Sequence, residues 1–255
     1  MLFPSIDPVC QGCAEGNMTR LSFPLSPGCS MAPFDKIHMD LKEFSVCSYG
    51  GYKFFILFFD DCTSFGWIVL LRCKSKADPA IRQFIAMVKN QFNKVIHEFM
   101  IDTGGEFKSD KLRTFLRELG ITILTSVPHM HQQNGCAERF IQTIVEKAQA
   151  ICLEACIPQN WWDFAVNSAV HIYNCTPLKH ASDDYKTPFE RLQCTKPDVA
   201  HLRVFRCGAY VFLPEDVQNN NLSPRSELMT FIGLVKGTKG YIFMRSPNNI
   251  VFTSI

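Results

Sequence analysis

The run Tyr52-Lys-Phe-Phe-Ile-Leu-Phe-Phe59 is the clearest indication of fold in this 255-residue chain. A short, continuous apolar run is typical of a strand that is buried on both faces, and it is far shorter than the roughly 20 apolar residues of a membrane-spanning helix. Residues 37–42 before it alternate apolar and polar side chains, and residues 65–71 after it form another extended stretch. The sequence therefore predicts an antiparallel meander of three strands.

Helices and strands alternate after this meander. Four segments carry apolar residues at helical spacing, and two short apolar segments lie between them. The helical segments are 81–96, 112–119, 137–155 and 161–173, and the strand segments are 99–101 and 121–124. This order predicts an α/β fold with a mixed five-stranded sheet flanked by helices.

Composition divides the chain into three regions. Residues 1–33 are rich in Pro, Gly, Ser and Cys and show no apolar period, residues 34–200 hold the predicted sheet, and residues 201–255 become strand-like at 204–213, 229–235 and 240–244. The whole chain has a net charge of +2, whereas residues 201–255 hold six Lys or Arg against three Asp or Glu, a net charge of +3. We predict that this last region is a small, β-rich and basic domain.

The first residues and the cysteines do not show the pattern of a secreted, disulfide-bonded protein. Residues 1–10 contain two prolines and an aspartate, without the basic and then apolar pattern of a secretion signal. We therefore interpret most of the twelve cysteines as reduced, buried thiols and not as a disulfide framework.

Three carboxylates are candidates for chemistry. Asp40 lies on the first predicted strand, Asp102 follows the fourth, and Glu138 lies in the first turn of the long helix. The ends of neighbouring strands converge in an α/β sheet, and carboxylate oxygens suit Mg²⁺ or Mn²⁺. Two such ions about 3.5 to 4 Å apart can promote displacement at phosphorus. Solvated or helix-capping acids are the alternative interpretation.

The spacing Asp40-x61-Asp102-x35-Glu138 resembles the D,D-35-E pattern of retroviral and retrotransposon integrases, and the sequence motifs around it are similar to those of the copia-type branch. These motifs are Ile101-Asp-Thr-Gly-Gly-Glu-Phe107, Ser126-Val-Pro-His-Met-His-Gln-Gln-Asn-Gly-Cys-Ala-Glu-Arg139 and Asp60-Asp-Cys-Thr-Ser-Phe-Gly-Trp67, with Cys10-x2-Cys13 before them and 201–211 and 231–233 after them. The resemblance covers nearly the whole chain in order.

This resemblance implies an RNase H-like core, followed by a small SH3-like region, that joins the 3′ ends of element DNA to target DNA as a polynucleotidyl transferase and endonuclease. It implies that Asp40, Asp102 and Glu138 bind Mg²⁺ or Mn²⁺. Contacts with element and target DNA are expected from Gln133, Asn134 and Arg139, and close backbone approach from Gly104 and Gly105. The family implies action in the nucleus, assembly as a homo-multimer, RNA as a further nucleic-acid partner and no membrane.

The sequence departs from the family pattern at its beginning. Cys10 and Cys13 resemble the end of the family's zinc-binding head, yet they supply only two of four tetrahedral ligands, and no pair of histidines precedes them. We therefore expect no complete Zn²⁺ site and interpret the chain as a fragment or relic of a polyprotein. Two alternatives stay open, namely a related RNase H-like nuclease and a catalytically idle remnant that binds nucleic acid.

Overall fold

The computed structural model describes residues 32–101, 110–125, 135–179, 185–214, 224–235, 237–246 and 248–254. Its main sheet has five strands, in the order β3-β2-β1-β4-β5. The strands are β1 Lys36–Glu43, β2 Phe54–Asp60, β3 Gly66–Leu71, β4 Glu98–Ile101 and β5 Thr122–Thr125. β1, β2 and β3 form an antiparallel meander, while β4 and β5 run parallel to β1. The predicted mixed five-stranded sheet is confirmed.

Five α-helices connect or cover the strands in the described ranges. They are α1 Ala77–Phe92, α2 Asp110–Glu118, α3 Gly135–Glu154, α4 Trp162–Cys175 and α5 Pro188–Gln193. Two 3-10 turns, Lys74–Lys76 and Gln159–Trp161, precede α1 and α4. Two short strands, β6 Leu178–Lys179 and β7 Tyr185–Lys186, pair antiparallel. None of the helices in the described ranges is both long enough and apolar enough to cross a membrane.

The strand β2 separates two apolar layers. Its seven residues are all buried, and the six apolar ones, residues 54–59, alternate between the layers. Phe58 packs toward α1 and α2 and stacks on Phe84, with ring centroids 3.9 Å apart, while Phe59 packs toward α3 and α4. A strand with helices on both faces has no polar side, which explains the uninterrupted apolar run. The prediction of a buried central strand is confirmed.

One predicted helix end was wrong, and one strand was missed. The helix predicted over 81–96 ends at Phe92, because Asn93 adopts a left-handed conformation with φ 50°. Ile96 is nevertheless 1% exposed, so its apolar character reflects burial in the α1 layer and not helical position. A strand over Ile250–Ser254 was not predicted.

A second sheet follows the main sheet. Its order is β11-β10-β9-β8, with every neighbouring pair antiparallel, which confirms the predicted β-rich region. The strands are β8 Gly208–Phe212, β9 Ser226–Leu234, β10 Tyr241–Arg245 and β11 Ile250–Ser254. Trp161 joins Ile232 and Met244 in a buried cluster, so this sheet packs against the start of α4. The domain limits near residues 33 and 200 stay predictions.

Candidate active site

The carboxylate of Asp40 lies on the sheet face that α3 and α4 cover. Ile37, Met39 and Leu41 of β1 pack into the opposite layer with α1 and α2, and side chains alternate along a strand. Asp40 is half-buried, and its Oδ1 accepts a hydrogen bond from the Leu41 backbone N–H at 2.7 Å. A strand position in the middle of a sheet therefore holds this predicted ligand.

The neighbouring parallel strand leads to the second predicted carboxylate. β4 pairs with β1 in a register that places Ile101 beside Met39, the residue before Asp40. Asp102 follows Ile101 directly in sequence and lies outside the described residues. The described part of the chain thus places the end of β4 at the level of Asp40.

Glu138 lies in the first turn of α3 and is exposed. The residues that anchor this turn are Ala137, Phe140 and Ile141, which are buried in the layer that α3 shares with β2 and α4. Because α3 packs on the same face of the sheet that carries Asp40, these two predicted ligands belong to one side of the molecule. An acidic residue in the first turn is also favoured by the helix dipole.

Close packing between β3 and α3 sets the position of that first turn. A Cβ atom added at Gly66 would lie 2.2 Å from Cζ of Phe140, so the ring occupies the space of the missing side chain. The side chain of Asn174 on α4 accepts a hydrogen bond from the Gly66 N–H at 3.0 Å and donates to its carbonyl oxygen at 2.8 Å. This glycine fixes the distance between helix and sheet, a role that sequence reasoning missed.

Asp60 organises the turn between β2 and β3. Its carboxylate is fully buried and accepts hydrogen bonds from the Phe34 N–H at 2.7 Å, the Thr63 N–H at 2.8 Å and the Thr63 hydroxyl at 2.7 Å. Burial raises the pKa of Asp60, while these hydrogen bonds act in the opposite direction. Asp60, the first residue of the motif at 60–67, thus has a structural role.

Asp61, the next residue, belongs to a second polar cluster. Its Oδ1 lies 3.1 Å from Nε2 of His38, a buried residue on β1. Cys136 completes the group, and one ligand atom from each of the three side chains lies within 4.8 Å of the other two. Sequence reasoning missed this cluster because its members come from three separate elements, although His38 and Cys136 each lie two residues before a predicted metal ligand.

Arg139 is the only predicted DNA-contacting side chain within the described ranges. It is exposed, its Nε donates a hydrogen bond to the Gly135 carbonyl oxygen at 3.1 Å, and its Nη2 lies 4.0 Å from Sγ of Cys136. The guanidinium therefore lies over the beginning of α3. The other predicted site residues lie outside the described residues, namely Cys10, Cys13, Asp102, Gly104, Gly105, Gln133 and Asn134.

Sequence comparison relates the chain to transposon polyproteins. Over 245 residues, or 96% of the chain, it is 28% identical to the retrovirus-related Pol polyprotein from transposon RE2 of Arabidopsis thaliana. Over 234 residues, or 91% of the chain, it is 30% identical to the retrovirus-related Pol polyprotein from transposon TNT 1-94 of Nicotiana tabacum. Its homologues are retrovirus-related Pol polyproteins. The chain spans 16% and 17% of the lengths of these two relatives. No protein-family model matches it.

Structural comparison relates the fold to that of one chain in a retroviral assembly. A chain in the structure of the simian T-cell lymphotropic virus intasome in complex with PP2A regulatory subunit B56 gamma superposes with a TM-score of 0.59 and 14% sequence identity. The alignment covers 96% of the present chain and 84% of the viral chain. At this level of identity the likeness shows that the two chains share a fold.

Proposed function

We propose that the chain is the integrase domain of a copia-type retroelement and that it joins the 3′ ends of element DNA to target DNA by metal-dependent phosphoryl transfer. The observation that carries this proposal is the placement of Asp40 and Glu138 on one face of the sheet, beside the strand that leads directly to Asp102. The homology to Pol polyproteins supports it.

The donor set fits Mg²⁺ or Mn²⁺. Asp40 and Glu138 offer carboxylate oxygens, which such hard ions prefer. Asp40 is half-buried and Glu138 is exposed, so a bound ion would retain several waters. Asp40, Asp102 and Glu138 would hold the ions. Two ions bound there would neutralise charge that develops around the attacked phosphate.

The protein itself supplies a rigid frame for these carboxylates. Asp40 belongs to a strand with hydrogen-bonded neighbours on both sides, and Glu138 belongs to a helix anchored by Phe140 against Gly66. Small displacements of reacting groups cost large factors in rate, so a frame of this kind matters for a reaction that depends on aligning a hydroxyl with a phosphorus atom. No covalent intermediate with the protein is required.

DNA would lie across the exposed start of α3. Arg139 is exposed there and would contact phosphate, and we expect further DNA contacts from Gln133, Asn134 and the backbone at Gly104 and Gly105. The basic region 201–255 would add non-specific affinity. We further propose that the chain works as a homo-multimer in the nucleus, and the similarity to a chain of a viral intasome structure supports the multimer.

A strand-transfer assay tests this proposal. The chain is mixed with an oligonucleotide that mimics the element end and with plasmid target, in Mg²⁺, Mn²⁺ or EDTA. We expect metal-dependent joining that is lost in Glu138→Gln and in Asp40→Asn. Glu146→Gln is the matched control, since Glu146 is an exposed glutamate farther along the same helix that bonds Gln142 at 2.9 Å.

Other outcomes would identify the alternatives. DNA binding that is equal in Mg²⁺ and EDTA, without any joining, would refute the proposal in favour of an idle remnant. Strand cleavage without joining would refute it in favour of a nuclease. Joining that persists in Glu138→Gln would show that the carboxylate assignment is wrong.

A further inference from the structure

We propose that His38, Asp61 and Cys136 form a second metal site, which takes a thiophilic transition metal ion of the Zn²⁺ class. This site is separate from the proposed carboxylate site and uses none of its residues. It does not depend on the proposed joining activity, because metal binding there requires only the chemistry and geometry of these three side chains.

The ligand types select the metal. An imidazole nitrogen, a carboxylate oxygen and a thiol sulfur are the three donors that zinc sites in proteins use, whereas Mg²⁺ favours oxygen donors alone. Three protein ligands leave a fourth position for water in a tetrahedral site. The two proposed sites therefore differ in the ions that they bind.

The distances are close to those of a bound ion. Nε2 of His38 and Oδ1 of Asp61 are 3.1 Å apart, and the three ligand atoms all lie within 4.8 Å of one another. Ligand atoms in a tetrahedral zinc site are separated by roughly 3.4 to 3.7 Å, which follows from Zn–N and Zn–O bonds of about 2.1 Å and Zn–S bonds of about 2.3 Å. Side-chain rotations that move the outermost ligand atom by roughly 1 Å would close the site.

The surroundings hold two of the ligands firmly. His38 is 4% exposed on a strand paired on both sides, and its ring packs near that of Phe59, with centroids 6.3 Å apart. Asp61 follows the buried Asp60 turn, and its backbone N–H donates to the Lys36 carbonyl oxygen at 3.1 Å. A preorganised pair of ligands lowers the entropy cost of binding a metal ion.

Cys136 contributes the third ligand from the first turn of α3. It is half-buried, and it packs against the apolar layer that joins α3 to the sheet. A bound ion would thus link β1, the turn after β2 and the start of α3. We infer that zinc stabilises the native chain by cross-linking these three elements.

Cobalt absorption tests the site directly. Because Cys10 and Cys13 could also bind metal, the experiment uses the full chain with both changed to serine as its background. Titration with Co²⁺ should give one equivalent with a thiolate-to-cobalt charge-transfer band, and Zn²⁺ should displace it while a large excess of Mg²⁺ should not. The band should vanish in Cys136→Ser and persist in Cys152→Ser, a half-buried cysteine on the same helix.

Thermal unfolding provides the second readout. Zn²⁺ should raise Tm in the background chain and in Cys152→Ser, and the rise should be absent in Cys136→Ser. His38→Gln should also lose the cobalt band, and Cys136→Ser keeps the test valid should the buried histidine prove necessary for folding. A cobalt band that survives Cys136→Ser, or no thiolate band in the background chain, would overturn the proposal.

Discussion

Gly66→Ala is the substitution that tests most sharply how α3 is positioned. The added Cβ would lie 2.2, 2.5 and 3.0 Å from three ring atoms of Phe140, whereas carbon atoms in contact are about 3.5 to 4.0 Å apart. The ring must therefore retreat by roughly 1.3 to 1.8 Å. It is 3% exposed and lies between Phe59 and Tyr173, with centroids 5.2 and 4.7 Å away, so it cannot move alone.

The expected loss of stability follows from two opposing effects. Overpacking a buried site costs about 1 to 3 kcal/mol, while replacing glycine by alanine in a strand returns about 0.5 to 1 kcal/mol of backbone entropy. The difference spans about 0 to 2.5 kcal/mol, and because the overlap with the buried ring is large, we expect Gly66→Ala to lower the free energy of unfolding by about 1 to 2.5 kcal/mol. A displaced α3 should also misplace Glu138 and reduce strand joining by about 100-fold.

Urea denaturation and the joining assay measure the two effects separately. Gly208→Ala is the matched control, because Gly208 is also a strand glycine but is exposed and its Cβ would meet only Cδ1 of Leu228 at 3.3 Å. We expect this control to be as stable as the parent or more stable by up to about 1 kcal/mol, because the gain in backbone entropy is opposed only by this one contact. A Gly66→Ala chain as stable as the parent would refute the packing argument, whatever its activity.

A double-mutant cycle identifies the partner. Phe140→Leu shortens the ring side chain and leaves room for a Cβ at position 66. The double variant should therefore be more stable than the two single losses predict, with a coupling of about 1 kcal/mol. Additive losses would show that the strain lies elsewhere than between these two residues.

Three further predictions concern stability. Burial, and then the nearby charge of His201, lower the pKa of His171 below its ordinary 6.5, so near that pH the unfolded chain binds more protons than the folded chain. The urea midpoint of unfolding should therefore fall as the pH drops through 6.5, and it should fall less steeply in His171→Gln. The Thr187 hydroxyl caps α5 by accepting a hydrogen bond from the Glu190 N–H at 2.9 Å, and thermal melts of Thr187→Ala should show a free energy of unfolding lower by about 1 kcal/mol. Asp60→Ala leaves three donors without their partner, and its denaturation should show a loss of at least about 3 kcal/mol.

The sequence predicts the sheet well where burial is uniform. Every residue of β2 is buried, so its composition alone indicates a central strand. Helix ends are harder to predict than buried strands. Ile96 is apolar because it is buried in the core outside the helix, and α1 ends earlier because Asn93 adopts a left-handed conformation. The last strand, β11, was missed because only alternation over five residues distinguishes it from the preceding turn.

The carboxylates of the proposed active site could be named from spacing and resemblance, but the contacts that hold them could not. Gly66 and Phe140 are 74 positions apart, and neither belongs to a periodic pattern that would show that they touch. Their packing depends on how α3 crosses the sheet, which is a property of the assembled layer. A glycine in an otherwise apolar strand is the one local signal of such a close approach.

The sequence alone did not reveal the proposed second metal site, because its three ligands come from three separate elements. The geometry of those elements also allows this site to be tested separately from the carboxylates. His38 and Asp40 are two residues apart on a strand and so share one face, whereas Cys136 and Glu138 are two residues apart on a helix and differ by about 200° in direction. A substitution at Cys136 should therefore remove the zinc ligand without turning Glu138. If Cys136→Ser abolishes the cobalt band yet retains full metal-dependent joining, the molecule has two independent metal sites on one face of its sheet.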